Sequence, residues 1–214
     1  MAAARSPILL VDRGDLPSLV AGVIQGESAR FVLWHLHEED DAAPRRAEIV
    51  RRHAELFDAE LIVSDAWQGG LPLDDQDAGL RQGMILLQAA IIARRTGCER
   101  IIWPIQVGPD PDRFCAVVDR ATVVTDLAEI GAGDGATAGG GGRTVFDLPV
   151  ADLADDQVVD LADDCGAPLE LFWPCRRGES DPCGVCPGCL RWREAFRGVG
   201  LPWPWTTVPA RAGM

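Results

Sequence analysis

Residues 8–18 read Ile8-Leu9-Leu10-Val11-Asp12-Arg13-Gly14-Asp15-Leu16-Pro17-Ser18. Ile8 to Val11 is a short apolar run of the kind buried in a parallel sheet. Asp12-Arg13-Gly14-Asp15 turns the chain. Asp15 is placed to cap a helix whose first turn tolerates Pro17, because no N–H is needed there. Leu19, Val20, Val23 and Ile24 supply that helix with an apolar face.

The alternation continues outward from this unit. Residues 31–33, 61–63, 100–103 and 144–148 read as further strands. Between them, 44–57 predicts an amphipathic helix with Ile49, Val50, Ala54 and Phe57 on one face. His53, among Arg51, Arg52 and Glu55, is expected at its surface. A loop is expected over 64–77, and a buried helix over 78–95, where most sides are apolar. Residues 111–130 predict another amphipathic helix. Strands alternating with helices at this spacing indicate an α/β fold with a parallel sheet.

Seven of the twelve residues in 131–142 are Gly. A phosphate-cradling glycine loop follows a strand and opens a helix. This one follows a helix and precedes a strand, so it reads as a flexible connector. The chain is read as a sheet domain, 1–150, which contains this connector, and a helical zinc-binding C-terminal subdomain, 151–214. The latter contains helices over 155–164 and 188–199. In the tail Leu201-Pro202-Trp203-Pro204-Trp205, the two Trp are expected to cover an apolar groove.

Composition narrows the function. The 214 residues carry 20 basic and 33 acidic side chains, a net charge of -13. Direct nucleic-acid binding is not expected from such a balance. Every basic residue is Arg, which excludes a Walker-A lysine, a pyridoxal Schiff base and a lysine general base. No apolar run approaches the roughly 18–20 residues that span a bilayer, and residues 1–7 lack signal-peptide features. The expectation is a soluble, cytoplasmic protein with no membrane partner.

Cys175-Arg-Arg-Gly-Glu-Ser-Asp-Pro-Cys183-Gly-Val-Cys186-Pro-Gly-Cys189 gathers four of the seven cysteines. Two overlapping Cys-x-x-Cys turns present sulfurs to one ion, and Cys175 closes the site from the preceding loop. Gly184 and Gly188 permit the turns. Four thiolates around Zn²⁺ leave a charge of about -2, which Arg176, Arg177, Arg191 and Arg193 are placed to offset. Lacking an open position, the site is expected to hold one structural zinc per chain; an iron–sulfur cluster also takes four Cys and is the competing reading. Cys98, Cys115 and Cys165 are expected to be buried small hydrophobes. His35 and His37 share a strand face above Glu38 to Asp41, and read as the border of a solvated acidic loop in preference to a second metal site.

Cys175-x-Arg177-Gly178-x-x-x-Pro182-Cys183-Gly184-x-Cys186-x-x-Cys189, followed by Ala195-Phe196, resembles the zinc signature that closes 7-cyano-7-deazaguanine synthases. Leu161-Ala-Asp-Asp-Cys-Gly166, Arg45-Arg-Ala-Glu-Ile49 and the strand succession fit the same family. The resemblance implies a Rossmann-like PP-loop sheet of the adenine-nucleotide alpha-hydrolase type. It also implies ATP-dependent adenylation of the carboxylate of 7-carboxy-7-deazaguanine, attack by ammonia, and a second ATP-driven dehydration to the nitrile of queuosine biosynthesis. Members are often homodimers.

The chain departs from this pattern where the family holds pyrophosphate. In place of Ser-Gly-Gly-x-Asp-Ser stands Asp12-Arg13-Gly14-Asp15-Leu16-Pro17-Ser18, in which Gly14 survives. Asp12 and Asp15 place carboxylates where phosphates sit, and Pro17 removes a donor. Mg-ATP is therefore expected to bind weakly if at all. A Pro-Gly-Arg-Asn-like stretch corresponds to Gly79-Leu80-Arg81-Gln82, and Trp192 stands where the family has an Arg. The resulting nucleotide or deazapurine pocket comprises Arg13, Gly14, Ser18, Arg81 and Gln82. Three roles stay open: a synthase with an unorthodox loop, an inactive paralogue acting as a binding or partner protein, and a diverged ATP-dependent modifier in a defence pathway.

Overall fold

A computed structural model describes residues 7–26, 29–38, 40–65, 78–132 and 144–205. The strands are β1 (Ile8–Val11), β2 (Phe31–His37), β3 (Glu60–Asp65), β4 (Arg100–Ile102) and β5 (Val145–Asp147). The helices are α1 (Leu16–Val23), α2 (Ala43–Leu56), α3 (Ala78–Thr96), α4 (Pro111–Ala132), α5 (Asp155–Asp164) and α6 (Pro187–Val199). All pairings are parallel, in the order β3-β2-β1-β4-β5. The α/β fold with flanking helices is as the sequence predicts. The glycine-rich connector begins later than expected, since α4 runs to Ala132; residues 133–143 lie outside the described residues, as do 66–77 of the expected loop.

Period-two alternation sends successive side chains of each strand to opposite faces. Leu9, Val11, Val32, Trp34 and Ile101 meet Leu86, Ala89, Ala90 and Ala93 of α3 and Val117 and Val124 of α4. Ile8, Leu10, Phe31, Leu33 and Ile102 meet Ala21 of α1 and Ala54 of α2. Both faces of the central strands are thus dry, which is why their sequences are continuously apolar.

The segment after residue 150 shares its core with the sheet layer. Val158, Val159, Ala162, Phe172, Trp192 and Phe196 form one apolar cluster with Leu16, Leu19 and Val20 of α1. Trp203 and Trp205 close it, with ring centroids 4.8 Å apart and Trp205 4.7 Å from Phe172. The tail covers a groove, as its composition indicated. Trp192 is buried in this cluster, which accounts physically for an apolar ring at that position.

Among the remaining cysteines Cys98 is buried and Cys165 half-buried, but Cys115 is exposed on α4, correcting the expectation of burial there. Its helix shows an apolar face to solvent as well, including Val123, Leu127 and Ile130, so apolarity alone did not mark the inward side. No helix of the described residues is long and apolar enough to cross a membrane.

Candidate functional site: a switch-point cavity and a four-cysteine metal centre

β1 is followed on one side by β2 and on the other by β4, so successive crossovers leave it in opposite directions. A crevice opens at the carboxyl ends of strands at such a point, and open α/β sheets bind ligands there. Here it is a cavity of about 260 Å³. Val11, Asp12 and Arg13 enter it from the end of β1, His35 and Leu36 from β2, Trp103 and Ile105 from beyond β4, and Arg81, Gln82 and Ile85 from α3. Arg46 of α2 and Glu38 complete the charged part of the wall.

Arg13, Arg81 and Gln82, assigned to the pocket from sequence, therefore meet at one cavity. Arg46 joins them, although its guanidinium is already paired with Asp40 at 2.8 Å and Glu38 at 3.1 Å. Burial pushes the Asp40 carboxyl up, but Arg46 and the Ala42 and Ala43 amides outweigh it and hold the group below its ordinary value. Gln82 accepts from Arg120 at 2.9 Å. Apolar Trp103, Ile85 and Ile105 beside Arg groups suit a flat ligand with a negative edge.

Ser18 and Gly14 do not face the cavity in this way. Ser18 is fully buried; its hydroxyl donates to Asp15 Oδ1 at 2.6 Å and accepts from the Arg13 amide at 3.1 Å. Gly14 has φ +68°, and a Cβ there would lie 2.9 Å from the Arg46 carbonyl oxygen. Its small size serves a left-handed turn pressed against α2.

The two acidic residues of the loop are also turned inward. Asp15 is the N-cap of α1, accepting the Ser18 amide at 3.0 Å. Asp12 is fully buried; Oδ1 accepts the Gly14 amide at 2.8 Å and Oδ2 lies 2.8 Å from His53 Nδ1. The amides of Arg13, Gly14 and Ser18 thus end on side chains of the loop itself.

His53 contradicts the surface placement read from its charged neighbours. It has no solvent exposure, and Nε2 meets the Leu171 carbonyl at 2.6 Å. The missed signal was periodicity: His53 follows Ile49 and Val50 by four and three residues, on the inward stripe. Burial pushes its imidazole down, but the Asp12 carboxylate, the Leu171 carbonyl and Asp15 outweigh this and raise its pKa. A histidine raised on folding contributes stability fully below its unfolded value of about 6.5, and that contribution is lost as pH rises through the higher folded value. In a pH series of urea titrations, the wild type should lose stability across that window relative to His53→Gln; parallel profiles would contradict it.

His35 is buried, with Nδ1 2.9 Å from the Asp12 carbonyl. Its pKa is lowered chiefly by burial, against the pull of Asp12. Among the described residues only the four cysteines form a group able to hold a metal.

That group sits where the C-terminal segment meets α2, with Cys175, Cys186 and Cys189 packed on Ala42, Ile49 and Trp173. The four sulfurs lie within 4.8 Å of one another, and three separations are 3.5, 3.9 and 4.0 Å. A tetrahedral ion with metal–sulfur bonds of about 2.3 Å needs edges of about 3.8 Å. The residues therefore fit a single ion.

Amides of Arg177 and Cys183 donate to Cys175 Sγ, and that of Cys186 to Cys183 Sγ, at 3.3–3.5 Å. Burial pushes the Cys186 thiol up, but nearby amides and thiols hold it at about 6, whereas burial and its neighbour Cys186 raise Cys189. Gly184 makes its turn at φ +71°, and a Cβ on Gly188 would lie 2.2 Å from the Pro174 oxygen. Of the four Arg expected to offset the centre's charge, Arg193 donates to the Gly184 carbonyl at 2.9 Å. Arg191 instead points away, pairing with Asp155 and Gln106 and lying 4.9 Å over Trp192. Residue adjacency put it near the sulfurs, but one step along a helix rotates a side chain by about 100°.

The architecture defines a doubly wound α/β protein with a switch-point cavity and a four-cysteine group able to hold a metal ion. Comparison with known proteins gives the particular family. Residues 78–200 match the model of queuosine biosynthesis protein QueC, and the chain belongs to that family. It is similar to a 7-cyano-7-deazaguanine synthase 2 of Sulfurisphaera tokodaii, 40% identical over 221 residues, which cover 91% of this chain and 46% of the relative. Similarity to the 7-cyano-7-deazaguanine synthase of Methanosarcina mazei is 38% over 127 residues, 56% of this chain and 49% of the relative. The matched part is thus under half the length of these curated relatives. In fold, the chain resembles the NMN synthetase of Francisella tularensis, with TM-score 0.53, 10% identity and coverage of 94% of this chain and 79% of that one.

Proposed function

We propose that the chain is a 7-cyano-7-deazaguanine synthase-type protein that takes a deazapurine or nucleotide-like anion in the switch-point cavity and uses ATP poorly. The family supports the ligand class. The observation that carries the restriction on ATP is the self-satisfied loop: Asp12, Asp15 and Ser18 occupy the amide donors of Ser18, Arg13 and Gly14. A phosphate would have to displace the buried Asp12 carboxylate from the Gly14 amide, the Asp15 carboxylate from the Ser18 amide and the Ser18 hydroxyl from the Arg13 amide. In this reading, Arg13 and Arg81 hold the anionic edge and Trp103 and Ile85 flank the ring. The same loop favours the binding-protein role over the synthase role.

The four cysteines are assigned one structural Zn²⁺, because thiolate donors in a closed tetrahedral set suit that ion. It supplies cross-linking of the C-terminal segment, and the chain's own amides orient the sulfurs. The setting is cytoplasmic, with a small molecule as partner.

A mass-spectrometric turnover assay with 7-carboxy-7-deazaguanine, ammonium and Mg-ATP, beside an active synthase, tests this. Nitrile formation should fall on the order of a hundredfold or more below the control, the scale of losing preorganised N–H donors. Turnover comparable to the control would contradict it.

A further inference from the structure

Both ring nitrogens of His53 meet oxygens positioned to accept. Nε2 lies 2.6 Å from the Leu171 carbonyl, which carries no proton, so Nε2 must carry one. Nδ1 lies 2.8 Å from Asp12 Oδ2, while Asp12 Oδ1 takes the Gly14 amide. Where Asp12 stands as the carboxylate, both of its oxygens accept, Nδ1 carries a proton too, and the ring is an imidazolium. Its charge and that of Asp12 are buried together, and each makes the other tolerable.

The pair also sits at a junction of three segments. Asp12 leaves β1, and its carbonyl meets His35 Nδ1 at the end of β2. Leu171 lies two residues before Trp173, whose amide donates to the Gly14 carbonyl at 2.8 Å. Cys175 follows two residues after Trp173. His53 itself is anchored on α2, whose N-cap Ala42 and second-turn Ile49 make contacts with the cysteines.

We propose that His53 is a positioning residue, held as an imidazolium, that clamps the segment leading into the metal centre onto the loop flooring the cavity. Charged groups acting on the ring are Asp12, in contact, and Asp15, further along the same loop. Phe57, the C-cap of its helix, presents an uncharged ring, centroids 6.2 Å apart. The clamp follows from this geometry alone and stands whichever ligand fills the cavity. Deprotonation breaks it at one end, since a neutral ring can donate to Asp12 or to Leu171 but not to both.

Long-range ¹⁵N NMR of the full chain at neutral pH reads the protonation directly. Both nitrogens of His53 should be protonated, and should remain so above the ordinary imidazole value of about 6.5. A bare nitrogen at neutral pH would overturn the assignment. Hydrogen exchange reads the clamp: in His53→Gln, the Gly14 and Trp173 amides should exchange at least about tenfold faster, the scale of one lost charged hydrogen bond. Pairing this change with Asp12→Asn, which removes the orphaned charge, should recover much of that protection. Unchanged exchange in His53→Gln would also overturn the proposal. If that variant does not fold, the wild-type spectrum decides.

Discussion

Replacing Cys186 by Ala should lower the stability of the protein by roughly 4 kcal/mol or more, the range reserved for loss of a metal or a buried network. The four sulfurs lie on two short turns and the first turn of α6, with no regular structure between Leu171 and Pro187. Metal binding there is folding free energy, because an unfolded chain has no preformed site. Cys175, Cys186 and Cys189 also pack on Ala42, just before α2, and on Ile49 within it, so disrupting the cysteine group should loosen the wall that carries Arg46. Urea denaturation of metal-replete protein measures the effect. Cys115→Ala, at an exposed position on α4, is the control and should stay within about 0.5 kcal/mol. Equal stability of Cys186→Ala and the wild type, with metal analysis showing none bound to either, would remove the metal centre from the account.

Phe172→Ala should cost about 3–5 kcal/mol, as large-to-small changes at a fully buried aromatic do. Phe172 is the hub of the second core. It stacks on Phe196 at 6.1 Å and stands edge-on to Trp192, Trp203 and Trp205 at 5.8, 6.4 and 4.7 Å. These rings come from α6, the approach to the cysteines and the Pro-Trp-Pro-Trp tail. Truncation leaves a void that four large rings cannot readily collapse into. The loss appears as a lower urea midpoint at unchanged slope. A cost below about 1 kcal/mol would mean the tail packs elsewhere in solution.

Elements with one dominant periodicity were legible from the sequence. α5 spans the predicted residues, and Ile8–Val11 is the strand its apolar run required. Asp15 caps α1 as its position beside Leu16 and Pro17 indicated. The four-cysteine group was legible because all four lie within fifteen positions, where the chain can bring them together locally. β2 extends four residues past the predicted Leu33, through Trp34 and His35. Both are buried, so the strand's polar end is an interior one and not the start of the acidic loop.

What sequence did not disclose depends on partners distant along the chain. Asp12 and His53 are 41 positions apart, and His53 and Leu171 are 118 apart. Charged neighbours on α2 made His53 look solvated, although its spacing from Ile49 and Val50 put it on the inward stripe. Asp12 and Asp15 read as acids facing a phosphate, because composition shows charge but not direction. Folded, they face the loop's own amides and His53. The prediction about ATP is unchanged, and its cause is now occupied donors instead of exposed like charge.

That cause is most directly tested by titrating Mg-ATP into the protein in a calorimeter, with an active 7-cyano-7-deazaguanine synthase in parallel. The heats should not saturate below about 1 mM, an interaction worth no more than about 4 kcal/mol. Saturable binding at low-micromolar concentration would contradict it, because the amides of Arg13, Gly14 and Ser18 would then have been available to phosphate.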